Sequence, residues 1–262
     1  MRVLTLLLAL LLASPAFAAE VVLKTADGLS LHAVHEPVAG AKRAVLLVHG
    51  DGRSAADWKF LATKLKQAGI STLALDLRGH GTSPAAGPTP LSDATWAAMS
   101  ADVDAGLAFL RAAGATEIGL VGAEVGASLA LLAGAAAADA TTMVVLTPGL
   151  KLHGLRFDAA LKAWNPRPIL FIVSGDEAYA AKSSLLLEAQ ATGPKHLEIY
   201  TSAGAGAAML NREPACEGLV LSWLLGTYDL SADQARGAAP QIQGSEEAMP
   251  TDGPTLEEVI GK

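Results

Sequence analysis

The chain has 262 residues, 51% of them hydrophobic and 17% charged, with a formal net charge of −7. That hydrophobic share excludes a disordered or fibrous protein and suits one α/β domain with a large buried core. The negative balance excludes a nucleic-acid binder, which needs a basic face. No His/Cys/carboxylate cluster has the spacing of a metal site, so neither a metal nor another cofactor is expected.

At the start of the chain, Arg2, the apolar run from Leu4 to Ala13 and the stretch Ala16-Phe17-Ala18 read as a secretory signal with a small-x-small cleavage site. The run is shorter than the ~20 residues a membrane span needs. No cysteine stands near the cleavage site to make a lipoprotein anchor. Residues 1–18 are therefore expected to be removed, leaving a periplasmic or secreted mature chain from Ala19 with no membrane span. Cys216 is the sole cysteine, so no internal disulfide forms; it is expected to be buried on a late helix.

Two alternating runs, Val21 to Thr25 and Leu29 to Val34, flank Asp27-Gly28 and predict a β-hairpin. The continuous apolar run Ala44 to Val48 then predicts a strand covered on both faces. Trp58, Leu61 and Leu65 recur at helical spacing, and Thr72 to Leu77 is the next strand. A glycine-rich loop through Gly81 leads to one long helix marked by Trp96, Met99, Val103, Leu107 and Leu110, opened by Ser92 or Asp93. Ile118 to Val121, Met143 to Leu146, Ile169 to Val173 and His196 to Tyr200 predict further strands. A helix with Leu219, Leu221, Trp223 and Leu224 follows. Strands alternating with helices predict a mostly parallel sheet, an N-terminal antiparallel hairpin and helices on both faces. Gly149 to Pro166 has room for a loop and a short helix, which predicts an open pocket without a lid domain. From 229 to 262 seven acidic residues oppose only Arg236 and Lys262, so this tail is expected to stay disordered.

Three motifs follow predicted strands in order: His49-Gly50-Asp51-Gly52, Leu75-Asp76-Leu77-Arg78-Gly79-His80-Gly81 and Gly122-Ala123-Glu124-Val125-Gly126. Over roughly Val21 to Tyr228 the chain resembles the α/β-hydrolase fold family, in its small lidless esterase and dienelactone-hydrolase-like branches. The resemblance implies a domain over residues 19–228. It also implies oxyanion-hole donors from the backbone of Asp51, after His49 and Gly50, and of Val125. Gly50, Gly52, Gly122 and Gly126 would allow the tight turns.

The resemblance also shows what is missing. Glu124 stands where the family's Gly-x-Ser-x-Gly turn has its nucleophile. Ser128, one helical turn on, is expected to face helix packing. The stretch Tyr200-Thr201-Ser202-Ala203-Gly204-Ala205-Gly206 places Ala205 where relatives carry histidine. His196 lies at the far end of its strand, His49 and His80 in structural loops, His32 and His35 near the hairpin, and His153 in the short connection. Either Asp176 or Glu177 occupies the acid position. Losing one triad member leaves only residual catalysis, on the order of 10³–10⁴-fold over water, so serine-hydrolase activity is expected to be absent. The expected function is a pseudoenzyme that binds a small molecule or a protein partner. The alternative is hydrolysis of a small ester-like substrate with Glu124 as carboxylate nucleophile or general base, or paired with Asp176 or Glu177.

Overall fold

The computed structural model describes residues 18–84 and 90–231. The expected signal segment through residue 17 and the acidic tail from residue 232 lie outside the described residues. Strand β1 (Ala19–Lys24) turns back through Asp27-Gly28 onto β2 (Ser30–Glu36) as the expected antiparallel hairpin. Strand β3 (Arg43–Val48) leads through a 3₁₀ turn (Ala55–Trp58) into helix α1 (Lys59–Gln67) and then β4 (Ser71–Leu75).

The single long helix expected next is two helices, α2 (Asp93–Ala98) and α3 (Ser100–Ala112), which meet at Met99. Ser92 is the N-cap, its side chain accepting from the Thr95 amide. The break is a slight one, because Met99 keeps near-helical dihedrals (φ −68°, ψ −10°) and all five predicted core residues stay buried.

Strand β5 (Glu117–Ala123), helix α4 (Val125–Ala136) and strand β6 (Ala140–Leu146) follow as a βαβ unit. The segment expected to hold a loop and one helix also contains a small antiparallel hairpin, β7 (Lys151–Leu152) and β8 (Leu155–Arg156), before helix α5 (Phe157–Trp164). Strand β9 (Ile169–Ser174), helix α6 (Ala178–Gln190) and strand β10 (Lys195–Tyr200) complete the alternation. Helices α7 (Met209–Arg212) and α8 (Pro214–Leu225) close the described chain, with Cys216 fully buried on α8. None of the described helices is long and apolar enough to cross a membrane.

The eight-stranded sheet runs β1-β2-β4-β3-β5-β6-β9-β10, and every neighbouring pair from β4 onward is parallel. Period-two alternation splits the central strands between two cores. Leu46 and Val48 pack with Val103 and Leu107 of α3, Leu129 of α4 and Trp164 of α5. Val45 and Leu47 pack with Leu61 and Leu65 of α1 and Val220 and Trp223 of α8. Parallel registry then brings the carboxyl ends of these strands to one rim, with Val48 beside Gly122, Ala123 beside Leu146 and Tyr200 beside Ser174. In an open α/β sheet that rim is where ligands bind.

A buried ion pair ties the loop after β4 to α3. Arg78 Nε donates to Asp102 Oδ1 at 2.9 Å, and the Arg78 amide donates to Asp102 Oδ2 at 2.9 Å. Arg78 Nη1 reaches outward to Asp27 of the first hairpin at 2.6 Å. Asp102 is fully buried and Arg78 nearly so.

Candidate active site

The turn from β5 into α4 is set by two glycines with no room for a side chain. A Cβ on Gly122 would lie 2.4 Å from Ala127 Cα, and one on Gly126 would lie 2.2 Å from the His49 carbonyl oxygen. Between them Glu124 is forced to φ 52°, ψ −123°, sparsely populated for a residue with a side chain. Its carboxylate lodges between Gly50 and Gly206. A Cβ on Gly50 would come within 2.6 Å of Oε2, and one on Gly206 within 2.6 Å of Oε1. Burial first, then the neighbouring Glu177 carboxylate, pushes the Glu124 carboxyl above its ordinary pKa, and Arg53 offsets part of that rise.

Glu124 opens into a cavity of about 300 Å³ at the sheet rim, shared with Asp51, Val125, Thr147, Glu177 and Ala205. Among the described residues, no backbone carbonyl or side chain accepts from the amides of Asp51 and Val125. Val125 is the first residue of α4, where an amide has no partner within the helix. Both amides are therefore free to meet an oxygen of a bound molecule.

His49 fixes the first of those amides without entering the cavity. Its Nδ1 donates to the Gly50 carbonyl at 2.7 Å and its Nε2 accepts from the Leu77 amide at 3.1 Å. The second bond needs the neutral ring, and burial lowers its pKa to about 4, although the Gly50 bond opposes that shift. The unfolded chain, with a histidine pKa near 6.5, binds this proton more readily between those values. Stability is therefore complete above about pH 6.5 and is lost as pH falls toward 4. The expected loss from this one ring is about 3 kcal/mol. Urea titrations of wild type and His49→Asn at pH 7 and pH 4 check it: the variant starts less stable and loses about 2–3 kcal/mol less on acidification. Parallel slopes would rule the assignment out.

The two candidate acids part company in the structure. Asp176 turns toward the segment after β10, accepting from Ser202 Oγ at 3.1 Å. Hydrogen bonds, from Ser174 first and then Ser202, hold its carboxyl below its ordinary pKa. Glu177 instead lines the cavity with Glu124. Of the two carboxylate pairs considered from sequence, only Glu124 with Glu177 is brought together there.

Sequence reasoning missed three polar cavity residues. Thr147 (φ 54°) accepts from the Gly206 amide at 2.9 Å through Oγ1, holding the segment that carries Ala205. Tyr179 bonds the backbone of Lys151 through its hydroxyl, at 3.0 Å from the amide and 3.1 Å from the carbonyl. The third, His153, was assigned to a plain connection and instead caps the β7–β8 hairpin inside the cavity wall. Its ring stacks on Trp96 at 4.3 Å and 15°, with Nε2 3.4 Å from Asp51 Oδ2. His80 Nε2 lies 3.2 Å from the other oxygen of the same carboxylate. The signal in sequence was His153-Gly154 between Leu152 and Leu155, a two-residue hairpin turn.

A family model described as serine aminopeptidase, S33 matches residues 39–175, just over half of the chain. The chain belongs to this α/β-hydrolase family. Solved structures agree on the fold. The Pyrococcus furiosus esterase Pf2001 is 17% identical, with a TM-score of 0.65 over 80% of this chain and 90% of that one. A dienelactone hydrolase from Anabaena variabilis is 19% identical, with a TM-score of 0.63 over 81% and 99%. The α/β-hydrolase GrgF from Penicillium sp. sh18 is 14% identical, with a TM-score of 0.67 over 79% and 97%. No curated protein matches the chain. In this α/β-hydrolase the cavity supplies, among the described residues, two free amides, three carboxylates and one imidazole, and no lysine or arginine of the described residues lines it.

Proposed function

We propose that this α/β-hydrolase is an exported protein that binds a small molecule at Glu124 and has lost serine-dependent acyl transfer. The observation that carries the reading is Glu124 itself, held at the strained strand–helix turn beside two free amides, where a hydroxyl nucleophile would be needed. Ala205 supports it. Asp176 is fastened to its segment as an acid would be, yet the side chain that should receive that acid is a methyl group. Ser128 offers no substitute, being fully buried on α4.

The purified protein is expected neither to react with a fluorophosphonate probe nor to turn over short aryl esters through an acyl-enzyme. Intact mass spectrometry after probe treatment checks this, and stoichiometric labelling of any serine would refute it. Native mass spectrometry of the same preparation reports whether a small molecule stays bound. Export rests on Arg2, the short apolar run and Ala16-Phe17-Ala18. The mature N-terminus is expected at Ala19 in the periplasmic or secreted fraction, and an intact Met1 terminus in the cytosol would overturn that part.

One observation favours a second reading, in which catalysis persists by another route: His153 in the cavity wall, which no sequence argument had placed there.

A further inference from the structure

We propose that the cavity at Glu124 takes a small organic amine, held as its ammonium ion between the Glu124 and Glu177 carboxylates. The proposal rests on reading the cavity as a small-molecule site without an acyl-serine, and it gives that site a ligand class. Three features carry it: two carboxylates left without partners, a cavity with apolar walls beside them, and no spacing suited to a metal ion.

Both carboxylates stand at helix N-caps, Glu124 before α4 and Glu177 before α6. A side-chain oxygen at that position commonly accepts from the first amides of its own helix. Neither does so here. Both residues line the cavity instead, with the Glu124 carboxyl lodged between Gly50 and Gly206. Arg53, which offsets part of the Glu124 charge, is itself committed to Asp57, donating from Nε at 2.7 Å and from Nη2 at 2.8 Å. The third acid of the cavity, Asp51, already has His80 Nε2 at 3.2 Å.

A carboxylate withdrawn from water without a partner is costly, and a second one beside it adds repulsion. These are the two effects that raise the Glu124 carboxyl, burial first and Glu177 next. A cation between the acids opposes both. An ammonium replaces lost water contacts with up to three N–H donors and turns the repulsion into attraction.

The shape of the space decides what kind of cation. Among the described residues, no three histidine, cysteine or carboxylate groups converge closely enough to hold a metal ion. The cavity of about 300 Å³ is large for a bare ion and lies at the low end of the range for ligand pockets. Val125, Leu152, Ala180 and Ala205 give it apolar walls. A short hydrocarbon body on the ammonium would cover those walls, which a hydrated ion would leave wet. Anions are repelled by three carboxylates, with no lysine or arginine of the described residues on the lining to receive them.

The test titrates the purified mature protein near neutral pH with benzylammonium chloride, benzyl alcohol and sodium benzoate. The three share one ring and differ in charge, and amide NMR shifts report both affinity and location. Benzylammonium is expected to bind about tenfold or more tighter than benzyl alcohol, because charge-assisted hydrogen bonds are roughly twice as strong as neutral ones. Its shifts should centre on Val125, Glu177 and Gly206, and benzoate should show no saturable binding. Glu124→Gln and Glu177→Gln should each weaken benzylammonium by about fivefold or more and leave benzyl alcohol unchanged. Glu20→Gln, which removes the same charge from the exposed side of β1, should match wild type. The same spectra show whether each variant is folded, and the selectivity of the wild type decides the matter even where a variant is not. Equal affinity for the ammonium and the alcohol overturns the proposal, as does preference for benzoate, binding of none of the three, or full affinity in both folded glutamine variants. Those failures leave the binding reading standing, whereas fluorophosphonate labelling of the wild type would remove that reading as well.

Discussion

The double variant Glu124→Ser, Ala205→His is expected to label stoichiometrically with a fluorophosphonate and to hydrolyse aryl esters at least about 100-fold faster than either single variant. Triad members act as a unit, so their effects multiply only when all are present. Glu124→Ser alone would place a hydroxyl beside the Asp51 and Val125 amides with no imidazole at 205 to take its proton. Ala205→His alone would set an imidazole against the Glu124 carboxylate, which holds it protonated. In the double variant, Asp176 is expected to serve as the acid, because it bonds Ser202 in the segment that carries position 205. Adding Asp176→Asn should abolish the gain, and adding Glu177→Gln should spare it. A folded double variant no more reactive than the singles would mean that Ala205 is not the histidine position or that the amides do not meet the substrate oxygen.

Asp102→Ala should be strongly destabilising, costing about 3–5 kcal/mol. It would leave Arg78, with 3% of its side chain exposed, without its inner carboxylate and with the Arg78 amide unpaired. The outer partner gives the contrast. The Arg78 bond holds the Asp27 carboxyl down to about 2, yet Asp27 is 46% exposed and solvent screens the pair. Asp27→Ala is therefore expected to cost about 1 kcal/mol or less. Urea unfolding of the two variants side by side checks both figures, and equal losses would show that burial does not govern this network.

The sheet was legible because its central strands are buried on both faces, so Ala44 to Val48 and Ile169 to Val173 are unbroken apolar runs. The break at Met99 was not, because it leaves the spacing of Trp96, Met99, Val103, Leu107 and Leu110 intact. At the site, Glu124 and Ala205 could be read from motifs that each occupy one turn. Asp176 and Glu177 are adjacent, and only the path of the chain after Ser174 decides which faces the segment after β10 and which the cavity. His153 was hidden for a different reason: it reaches the cavity through a two-strand hairpin too short for periodicity to reveal, and its partners Asp51 and Trp96 are distant in sequence.

The backbone at Glu124 sets two demands against each other at one position. A side chain at φ 52° costs about 1–3 kcal/mol relative to an unstrained turn, and glycine would hold the same turn without that strain. A search for heat-tolerant variants with no binding readout would therefore converge on glycine at 124, and would discard a carboxylate that lines the cavity. Endurance and recognition pull this residue in opposite directions.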